Sequence, residues 1–333
     1  MVLLNQGVAS EPVEERIRPV SARSRGDLVY RGFARASGGL TLSIMGLIGL
    51  FLVLRAWTAL RSAGWGFFTR SAWLPGQGPF GVWSALLGTF LIAVIALVLA
   101  VPVAICAALF VTEYAPARLR RPLTSFIDVL AAIPSLIYGL WGRAFLQPRA
   151  ILLSRWLGTH LGFVPFFKSQ HASDLASYPA STFIAALVVA LMIVPICTAV
   201  TREVFSQAPA GEKEGALALG GTRWGVIRSV VLPFGRGGII GGSMLALGRA
   251  LGETIAVTLI ISPNFNPHSL THVLQTGGNS IASLIALRFS EANSFGISAL
   301  MAAGLTLFVI TLVVNALASV IVARSRSGAA TEI

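Results

Sequence analysis

The sequence is poor in charged side chains and contains very little lysine, histidine or cysteine. Only 11% of its 333 residues are charged, whereas a soluble domain typically carries about 25%. So little charge cannot cover a water-exposed surface of this size, so we predict that lipid forms part of the protein's surroundings. The two cysteines, Cys106 and Cys197, lie inside apolar runs and indicate neither a disulfide framework nor a metal site.

The residues that catalysis would need are also missing from the sequence. There is no GxxxxGK[ST] motif, and the two lysines, Lys168 and Lys213, stand outside any glycine-rich phosphate-binding loop. Four histidines are present, and the two with i, i+4 spacing, His268 and His272, fall in a loop without further ligands. We therefore expect a chain that is not an enzyme and that holds no metal or cofactor of its own.

Long apolar runs take up most of the sequence, which is 55% hydrophobic. A transmembrane helix needs about 20 mostly apolar residues, and six stretches reach this length. They predict an all-α integral membrane protein with six transmembrane helices. These stretches cover approximately residues 38–60, 84–112, 123–146, 180–200, 232–261 and 296–322. The third is the least regular, because it contains Asp128, Pro134 and Arg143.

Cationic side chains are distributed unevenly between the predicted loops. An even number of spans places both termini on one side, and most of the arginines lie in the loops and tails of that side. The positive-inside rule then predicts a multi-pass protein of the inner or plasma membrane with both termini in the cytoplasm. This topology accounts for the net charge of +12, so we expect no nucleic-acid partner.

Two of the predicted outer loops are long, covering residues 147–179 and 262–295. The second contains the apolar run NSIASLIALRF, which starts at Asn279. This run is too short to cross a bilayer, and it predicts a re-entrant or surface-lying helix. Such a loop could bind an external partner, or it could simply cover the ends of the membrane helices.

The inner loop between the fourth and fifth spans carries the most informative pattern. Its sequence is TREVFSQAPAGEKEGALALGGTRWGVIRSVVLP. Pro209 suits the first turn of a helix, and Glu212 and Glu214 lie early in it, where the helix dipole favours anions. Gly220 and Gly221 suit a helix end, because glycine adopts left-handed backbone conformations readily. We predict a short cytoplasmic helix over about residues 209–221.

This inner loop resembles the EAA loop of ABC-importer permeases, in which Glu-Ala-Ala is followed at fixed distances by Gly and by Leu-Pro. In that family the loop helix, called the coupling helix, fits into a cleft of a separate ATPase subunit. The alternative interpretation is an ordinary amphipathic connector. The positions that match the family pattern are Glu214, Gly215, Ala216, Gly220, Leu232 and Pro233.

Other segments resemble the PstC-type permeases of phosphate ABC importers. The resemblance extends from about Asp27 to Arg324, and Arg143 departs from it. It implies a type I ABC importer permease fold, with a cytoplasmic tail over 1–37, a transmembrane permease domain over 38–325 and a C-terminal tail over 326–333. The segments that carry the resemblance are FVTEYAPARLRRPL, DVLAAIPSLIYGLWG, VPICTAVTREVF and LGRALGETIAV.

Two charges in the fifth span, Arg249 and Glu253, have the spacing of neighbours on one helix face. An arginine in the middle of a bilayer costs about 2.5–3.5 kcal/mol even on an insertion-based scale, so it should face a pathway or a partner. A guanidinium suits a phosphate oxyanion, and Glu253 could hold Arg249 between transport events. A static ion pair that braces two helices is the alternative. Ser135 and Thr198 are weaker candidates for the pathway.

The resemblance implies a permease subunit of an ATP-driven importer of inorganic phosphate. Its expected partners are a second, similar permease, two cytoplasmic ATPases that hold ATP and Mg²⁺, an external phosphate-binding protein and the lipid bilayer. Two alternatives remain: an importer of another oxyanion, and an ion-coupled secondary carrier. No clear inverted repeat, which such carriers usually contain, is visible in the sequence.

Overall fold

A computed structural model describes residues 25–168, 174–262 and 273–326 of the chain. Within these ranges the chain is helical, and its only β-type pairings are two isolated bridges, Trp73 with Phe80 and Ser181 with Thr276. The helices are α1 Arg25–Ala63, α2 Gly66–Thr69, α3 Trp83–Leu109, α4 Ala117–Ala132, α5 Ser135–Trp141, α6 Gln147–His160, α7 Thr182–Ser206, α8 Ala210–Ala218, α9 Arg223–Val226, α10 Leu232–Leu251, α11 Ile255–Ile260, α12 Ile281–Arg288 and α13 Ser294–Arg326.

The chain divides into two compact units, residues 1–48 and 49–333. The described part of the first unit is the N-terminal portion of α1, whose side chains are exposed from Gly26 to Ile48. The sequence predicted a polar tail as far as residue 37, but helix α1 already begins at Arg25. Gly38 and Gly39 therefore lie inside a continuous helix and do not mark its start.

Five helical stretches in the described ranges are long and apolar enough to cross a membrane, and a sixth span exists if one bent pair is counted. This agrees with the predicted all-helical architecture. The five are Gly26–Ala63, Trp83–Tyr114, Thr182–Ser206, Arg223–Leu251 and Ser294–Val322. Two of them run through single π-helical turns, Phe110–Tyr114 after α3 and Ile227–Val231 before α10.

The third predicted span, 123–146, corresponds to two helices joined at a sharp bend, close to the interruption at Pro134 that the sequence indicates. The chain bends by 88° between α4 and the helical stretch Ser135–His160, at Ile133 and Pro134, which both have extended backbone angles. Proline disfavours helical angles in the residue before it and has no N–H to bond the preceding turn. The second half then continues to His160, well beyond the predicted end at residue 146.

Helix α7 forms the centre of the second unit and packs against α3 and α10. Small residues allow both contacts to be close. Ala96, Ala100, Ala104 and Ala108 recur every fourth residue along α3 and are fully buried. On α10, a Cβ atom at Gly238 would lie 2.4 Å from Val204 of α7. The small-residue stripe predicted for the fifth span is thus a helix-packing surface.

The outer run that begins at Asn279 forms α12, an eight-residue helix that does not span the bilayer. Its N-terminal half is buried, and its C-terminal half, from Ala286 to Arg288, is exposed. Asn279 donates a hydrogen bond to Ser84 (3.2 Å), and the N–H of Ile281 donates to Thr89 (3.0 Å). The helix therefore enters the bundle from one side with its N-terminus bonded to α3.

Candidate functional site

The inner loop forms α8, Ala210–Ala218, directly after Pro209. Gly220 has a φ of +83°, the left-handed conformation that favours glycine. Its N–H donates to the carbonyl of Leu217 (2.9 Å), and the N–H of Gly221 donates to the carbonyl of Ala216 (3.0 Å). These two bonds satisfy carbonyls that a helix end leaves without partners. The helix therefore ends sharply where the glycine pair predicted it.

Most of α8 is exposed, including Glu214 and Gly215, whereas Ala216 is half-buried. Next to the helix end, Leu219 is 91% exposed and Trp224 is 58% exposed. Large apolar side chains in contact with water indicate a surface that a partner covers. The sequence comparison with the EAA pattern did not single out Leu219 or Trp224, although both flank the glycine pair.

The remaining two positions of the predicted coupling motif lie apart from this exposed surface. Leu232 is half-buried and packs against a cluster that includes Phe205 of α7. Pro233 is the second residue of α10 and directly follows the π-helical turn Ile227–Val231, where the helical bonding pattern changes. These two residues connect the loop to the membrane helix, and the exposed residues from Glu214 to Trp224 form the face available to another protein.

The helix of the predicted fifth span is interrupted after Arg249 and before the end of the span. Helix α10 ends at Leu251 and α11 begins at Ile255, with Thr254 at φ −109° and ψ −61°. The predicted arrangement of both charges on one helix face is therefore wrong, as is the continuous fifth span to residue 261. The ion pairs within 4.0 Å among the described residues join other side chains and do not include Arg249 or Glu253.

Glu253 stabilises the start of α11. Its carboxylate accepts a hydrogen bond from the N–H of Ala256 (3.1 Å), and the residue is only 8% exposed. A carboxylate at a helix N-terminus satisfies an unpaired N–H and interacts favourably with the helix dipole. Glu253 is thus engaged by the helix that follows it and does not pair with Arg249.

Arg249 lies in the last turn of α10 and is exposed in the isolated chain. Its guanidinium is close enough to the hydroxyl of Tyr138 to act on it electrostatically. That hydroxyl donates to the carbonyl of Leu130 (2.9 Å), which is four residues before Pro134 and so lacks a normal helical N–H donor. The charge of Arg249 thus acts on a residue that bonds across the bend of the third span, which the sequence did not predict.

The two weaker pathway candidates differ in their surroundings. Ser135 is half-buried and begins α5, directly after Pro134 at the bend. Thr198 is 1% exposed on α7, and its hydroxyl donates to the carbonyl of Val194 in its own helix (2.7 Å). Ser135 therefore lies at the same bend as Tyr138, whereas the Thr198 hydroxyl is satisfied inside the core.

Arg143, the residue that departs from the family pattern, has a structural partner. Its guanidinium donates to the carbonyl of Leu259 (3.2 Å), in the last turn of α11. A cation at a helix C-terminus complements the helix dipole. In α5, four residues before Arg143, a Cβ atom added at Gly139 would lie 2.9 Å from Cα of Ala256 in α11. Helices α5 and α11 are therefore in close contact, with a charged bond at one end.

Asp128, one of the residues that make the third predicted span irregular, pairs with Arg202 near the C-terminal end of α7 (3.9 Å). The same region borders an apolar cavity of about 720 Å³ beside the bend. Its lining includes Leu99 of α3, Tyr138 of α5 and Leu187 of α7. The cavity therefore lies between α3, α5 and α7, beside the bend.

The described residues contain no group of three or more His, Cys, Asp or Glu side chains that could hold a metal ion. Cys106 is exposed and Cys197 is buried, and both are free thiols. Of the two histidines with helical spacing in the sequence, His268 and His272 both lie outside the described residues. The charged side chains that the structure brings together form ion pairs and helix caps.

The chain matches proteins of one transport family over most of its length. Residues 100–327 match the family described as "binding-protein-dependent transport system inner membrane component". The chain is 42% identical over 301 residues to the phosphate transport system permease protein PstC 2 of Mycobacterium tuberculosis, covering 89% of this chain and 92% of that protein. It is 38% identical over 312 residues to PstC of Mesorhizobium japonicum, covering 91% and 92%.

A solved structure has the same fold. It is the crystal structure of a bacterial ABC transporter involved in the import of the acidic polysaccharide alginate. The superposition has a TM-score of 0.50 and a sequence identity of 15%, and it covers 89% of this chain and 98% of the other. At this identity, the likeness concerns the arrangement of helices alone.

Proposed function

This chain belongs to the family of binding-protein-dependent transport system inner membrane components, and from that membership we propose that it is a permease subunit of an ATP-driven importer of inorganic phosphate. The observation that carries the proposal is the inner loop. It combines the spacing of an ATPase-binding motif with an exposed helix, a left-handed Gly220 and the exposed apolar residues Leu219 and Trp224. Phosphate as the substrate is supported by the printed names of the relatives.

In this proposal the chain is a non-catalytic subunit. ATP and Mg²⁺ are bound and ATP is hydrolysed in two separate cytoplasmic ATPase subunits, one of which binds the coupling helix around residues 209–221. A second, similar permease completes the pathway, and an external phosphate-binding protein delivers the substrate to the outer loops. Both termini lie in the cytoplasm, so that α8 is on the side where ATP is available. The permease domain covers 38–325, between tails at 1–37 and 326–333.

Movement of the ATPases reaches the membrane helices through the connection after α8. Helix α9 follows Thr222, whose hydroxyl accepts a hydrogen bond from the N–H of Gly225 (3.1 Å). Through the π-helical turn Ile227–Val231 it continues into α10. From α9 onward the path is one continuous helical stretch, Arg223–Leu251, so a displacement of α8 that moves α9 acts on the helix whose last turn carries Arg249. This gives the loop a direct mechanical connection to the proposed pathway.

Arg249 supplies the charge that attracts the anion. Its guanidinium remains protonated and can donate two parallel hydrogen bonds to one phosphate. It is exposed and forms no ion pair with Glu253, so its charge is available to a passing anion. Glu253 has the separate task of starting α11. This replaces the hypothesis that Glu253 holds Arg249 between transport events. Ser135 lies at the bend and is the more suitable of the two weaker pathway candidates.

An importer of another oxyanion and an ion-coupled secondary carrier are the alternatives. They can be separated in vesicles that contain the chain, its partner permease and the ATPases, with the external binding protein added outside. We expect radiolabelled phosphate to accumulate only with hydrolysable ATP on the ATPase side, and an excess of sulfate not to compete. ATP-driven uptake of sulfate in place of phosphate would assign another oxyanion. Phosphate uptake by the chain alone, driven by an ion gradient, would contradict the importer assignment.

A further inference from the structure

The coupling loop is attached to the membrane bundle at a second place, outside the recognised motif. Nζ of Lys213 in α8 lies 2.7 Å from Oε1 of Glu113, in the π-helical turn that ends α3. The two residues are 100 positions apart in the sequence. Their side chains are only 22% and 17% exposed. This ion pair is short and largely shielded from water.

Lys213 is oriented differently from the charged residues beside it. Glu212 and Glu214 are exposed, whereas Lys213 and, one turn later, Ala216 are half-buried and form the inner face of α8. Among the α8 side chains, within the described part of the chain, that of Lys213 forms a hydrogen bond and ion pair, and its partner is Glu113. The helix thus presents one face outward for a partner and attaches to the bundle through the other.

Glu113 is placed where α3 passes into α4. The turn Phe110–Tyr114 is followed by Ala115, whose carbonyl accepts a hydrogen bond from Nε of Arg120 (3.0 Å). Helix α4 then leads to the bend at Ile133–Pro134, next to Tyr138 and Arg249. A displacement applied at Glu113 therefore acts on α3 and on α4, and α4 ends at the bend.

The same inner region contains a polar cleft of about 440 Å³ between these elements. It is lined by Glu113, Arg120, Arg202, Glu203 and Lys213, among others. The pairing of Arg202 with Asp128 joins α4 to α7 across the same region (3.9 Å). Ion pairs around this cleft therefore join α8 to the end of α3 and α4 to α7, beside the apolar cluster that packs α3 against Phe205 of α7.

We propose that the Lys213–Glu113 ion pair is a non-covalent strut that transmits displacement of α8 to the inner ends of α3 and α4. Lys213 and Glu113 are thus positioning residues for coupling, and this role rests on the proposed function of the loop. The covalent route through α9 moves α10, while the strut moves the helices on the other side of Arg249. Helix α4, which ends at the bend, and helix α10, which carries Arg249, would then respond together to a single displacement of α8.

The test uses the complete transporter, with the second permease, the ATPases and the binding protein, in vesicles. The measured quantity is the number of phosphate ions taken up per ATP hydrolysed. Lys213→Met and Glu113→Gln each remove one charge, and each should lower this ratio about five- to tenfold, as expected for loss of one coupling contact. ATP hydrolysis and co-purification of the ATPases should remain, because the outer face of α8 is unchanged.

The exchanged pair Glu113→Lys with Lys213→Glu restores the attraction in the opposite direction. It should recover most of the lost ratio. Arg35, an exposed arginine in the N-terminal part of α1, provides the control. Arg35→Gln also removes one charge, away from both the proposed strut and the outer loops in sequence, and should leave the ratio unchanged.

Three results would overturn the strut. An unchanged ratio in both single variants would do so, as would failure of the exchanged pair to restore it while the protein assembles normally. Equal losses of uptake and ATP hydrolysis, matched by loss of assembled complex, would assign the pair to folding. Failure of the proposed function is distinguishable, because the unaltered complex would then show no ATP-dependent phosphate uptake at all.

Discussion

Two short helices, α8 and α11, stand at opposite ends of the path from the cytoplasm to the proposed anion pathway, and their ends are stabilised in different ways. The ends of α8 are set by backbone conformation, through Pro209 and the left-handed Gly220. The ends of α11 are held by charged side chains, Glu253 at its start and Arg143 at its end. An isolated helix of fewer than about 12 residues is marginal in water, so both need such support.

The difference follows from their surroundings. Helix α8 lies in water, which satisfies any polar group that the chain leaves open, so its side chains remain available for a partner. Helix α11 lies in the bundle, where an unpaired N–H or C=O has no water to bond and costs several kcal/mol. Charged side chains must then supply the bonds. The comparison teaches that Glu253 and Arg143 hold α11 in place, whereas Arg249 caps neither helix and so suits the pathway role proposed for it.

The largest effect should come from removing this remaining charge. Arg249→Gln should lower phosphate uptake by about two orders of magnitude, in the range seen when one preorganised donor to an anion is lost. Assembly should remain intact, because Arg249 forms no ion pair. Uptake of radiolabelled phosphate and the amount of purified complex are the measurements.

Two matched variants sharpen this test. Arg236→Gln removes an exposed arginine from the inner part of the same helix and should leave uptake nearly unchanged. Arg249→Lys keeps the charge but loses the planar fork, so an intermediate uptake is expected. Equal transport by the Lys and Arg forms would mean that charge alone matters, and unchanged uptake by Arg249→Gln would remove the residue from the pathway.

The next effect concerns the end of α8. Gly220→Val forces a β-branched residue into a left-handed conformation, which costs about 1–2 kcal/mol, so α8 should end differently. We expect phosphate uptake per ATP to fall about tenfold, as coupling energies of this size imply. The control is Gly215→Ala, since Gly215 lies inside α8 with open space around it. A normal ratio in Gly220→Val would contradict the role of this helix end.

A smaller effect is expected at the start of α11. Glu253→Gln keeps an oxygen that can accept from the N–H of Ala256, so uptake should change little. Glu253→Leu loses that acceptor and should destabilise α11 by about 1 kcal/mol, the usual value of a helix cap. Hydrogen exchange at the amides of α11 measures this difference. A large change in apparent phosphate affinity in Glu253→Gln alone would instead revive the pairing of Glu253 with Arg249.

The smallest effect should follow from loss of the bond at the other end of α11. Arg143→Met removes the donor to the carbonyl of Leu259, and one hydrogen bond contributes about 1 kcal/mol or less in net terms. Exchange at the last amides of α11 should rise severalfold while uptake falls by less than half. A loss of uptake as large as that of Arg249→Gln would indicate that Arg143 itself contacts the anion.

Local sequence signals account well for α8 and poorly for α11. Proline, glycine and the acidic residues of the inner loop act on their own backbone, so the helix Ala210–Ala218 could be predicted from them. The same holds for the apolar runs that form five of the spans and for α12. Arg143 and Leu259 are 116 residues apart, and Lys213 and Glu113 are 100 apart. No spacing rule connects such residues, so these contacts required the fold.

Two interruptions of the predicted spans follow from local signals in the sequence, of which only the one at Pro134 was anticipated. The i, i+4 spacing of Arg249 and Glu253 indicates a shared helix face only if the helix continues, yet Gly252 and the β-branched Thr254 lie at its interruption. Pro134 marked the interruption of the third span, and the restriction that proline places on Ile133 explains why it is a sharp bend. In both cases a local backbone preference outweighed the apolar pattern.

The bend at Ile133–Pro134 has one property that bears on motion. In most bent helices, straightening regains a backbone hydrogen bond, which pulls the two halves back into line. Proline has no N–H to offer to the carbonyl of Leu130, and it disfavours helical angles at Ile133, so straightening here regains less than in another bent helix. Among the described residues, a side-chain hydrogen bond crosses the joint from the hydroxyl of Tyr138 to the carbonyl of Leu130 (2.9 Å). The angle between α4 and α5 can therefore change when the neighbouring helices move, as at a hinge.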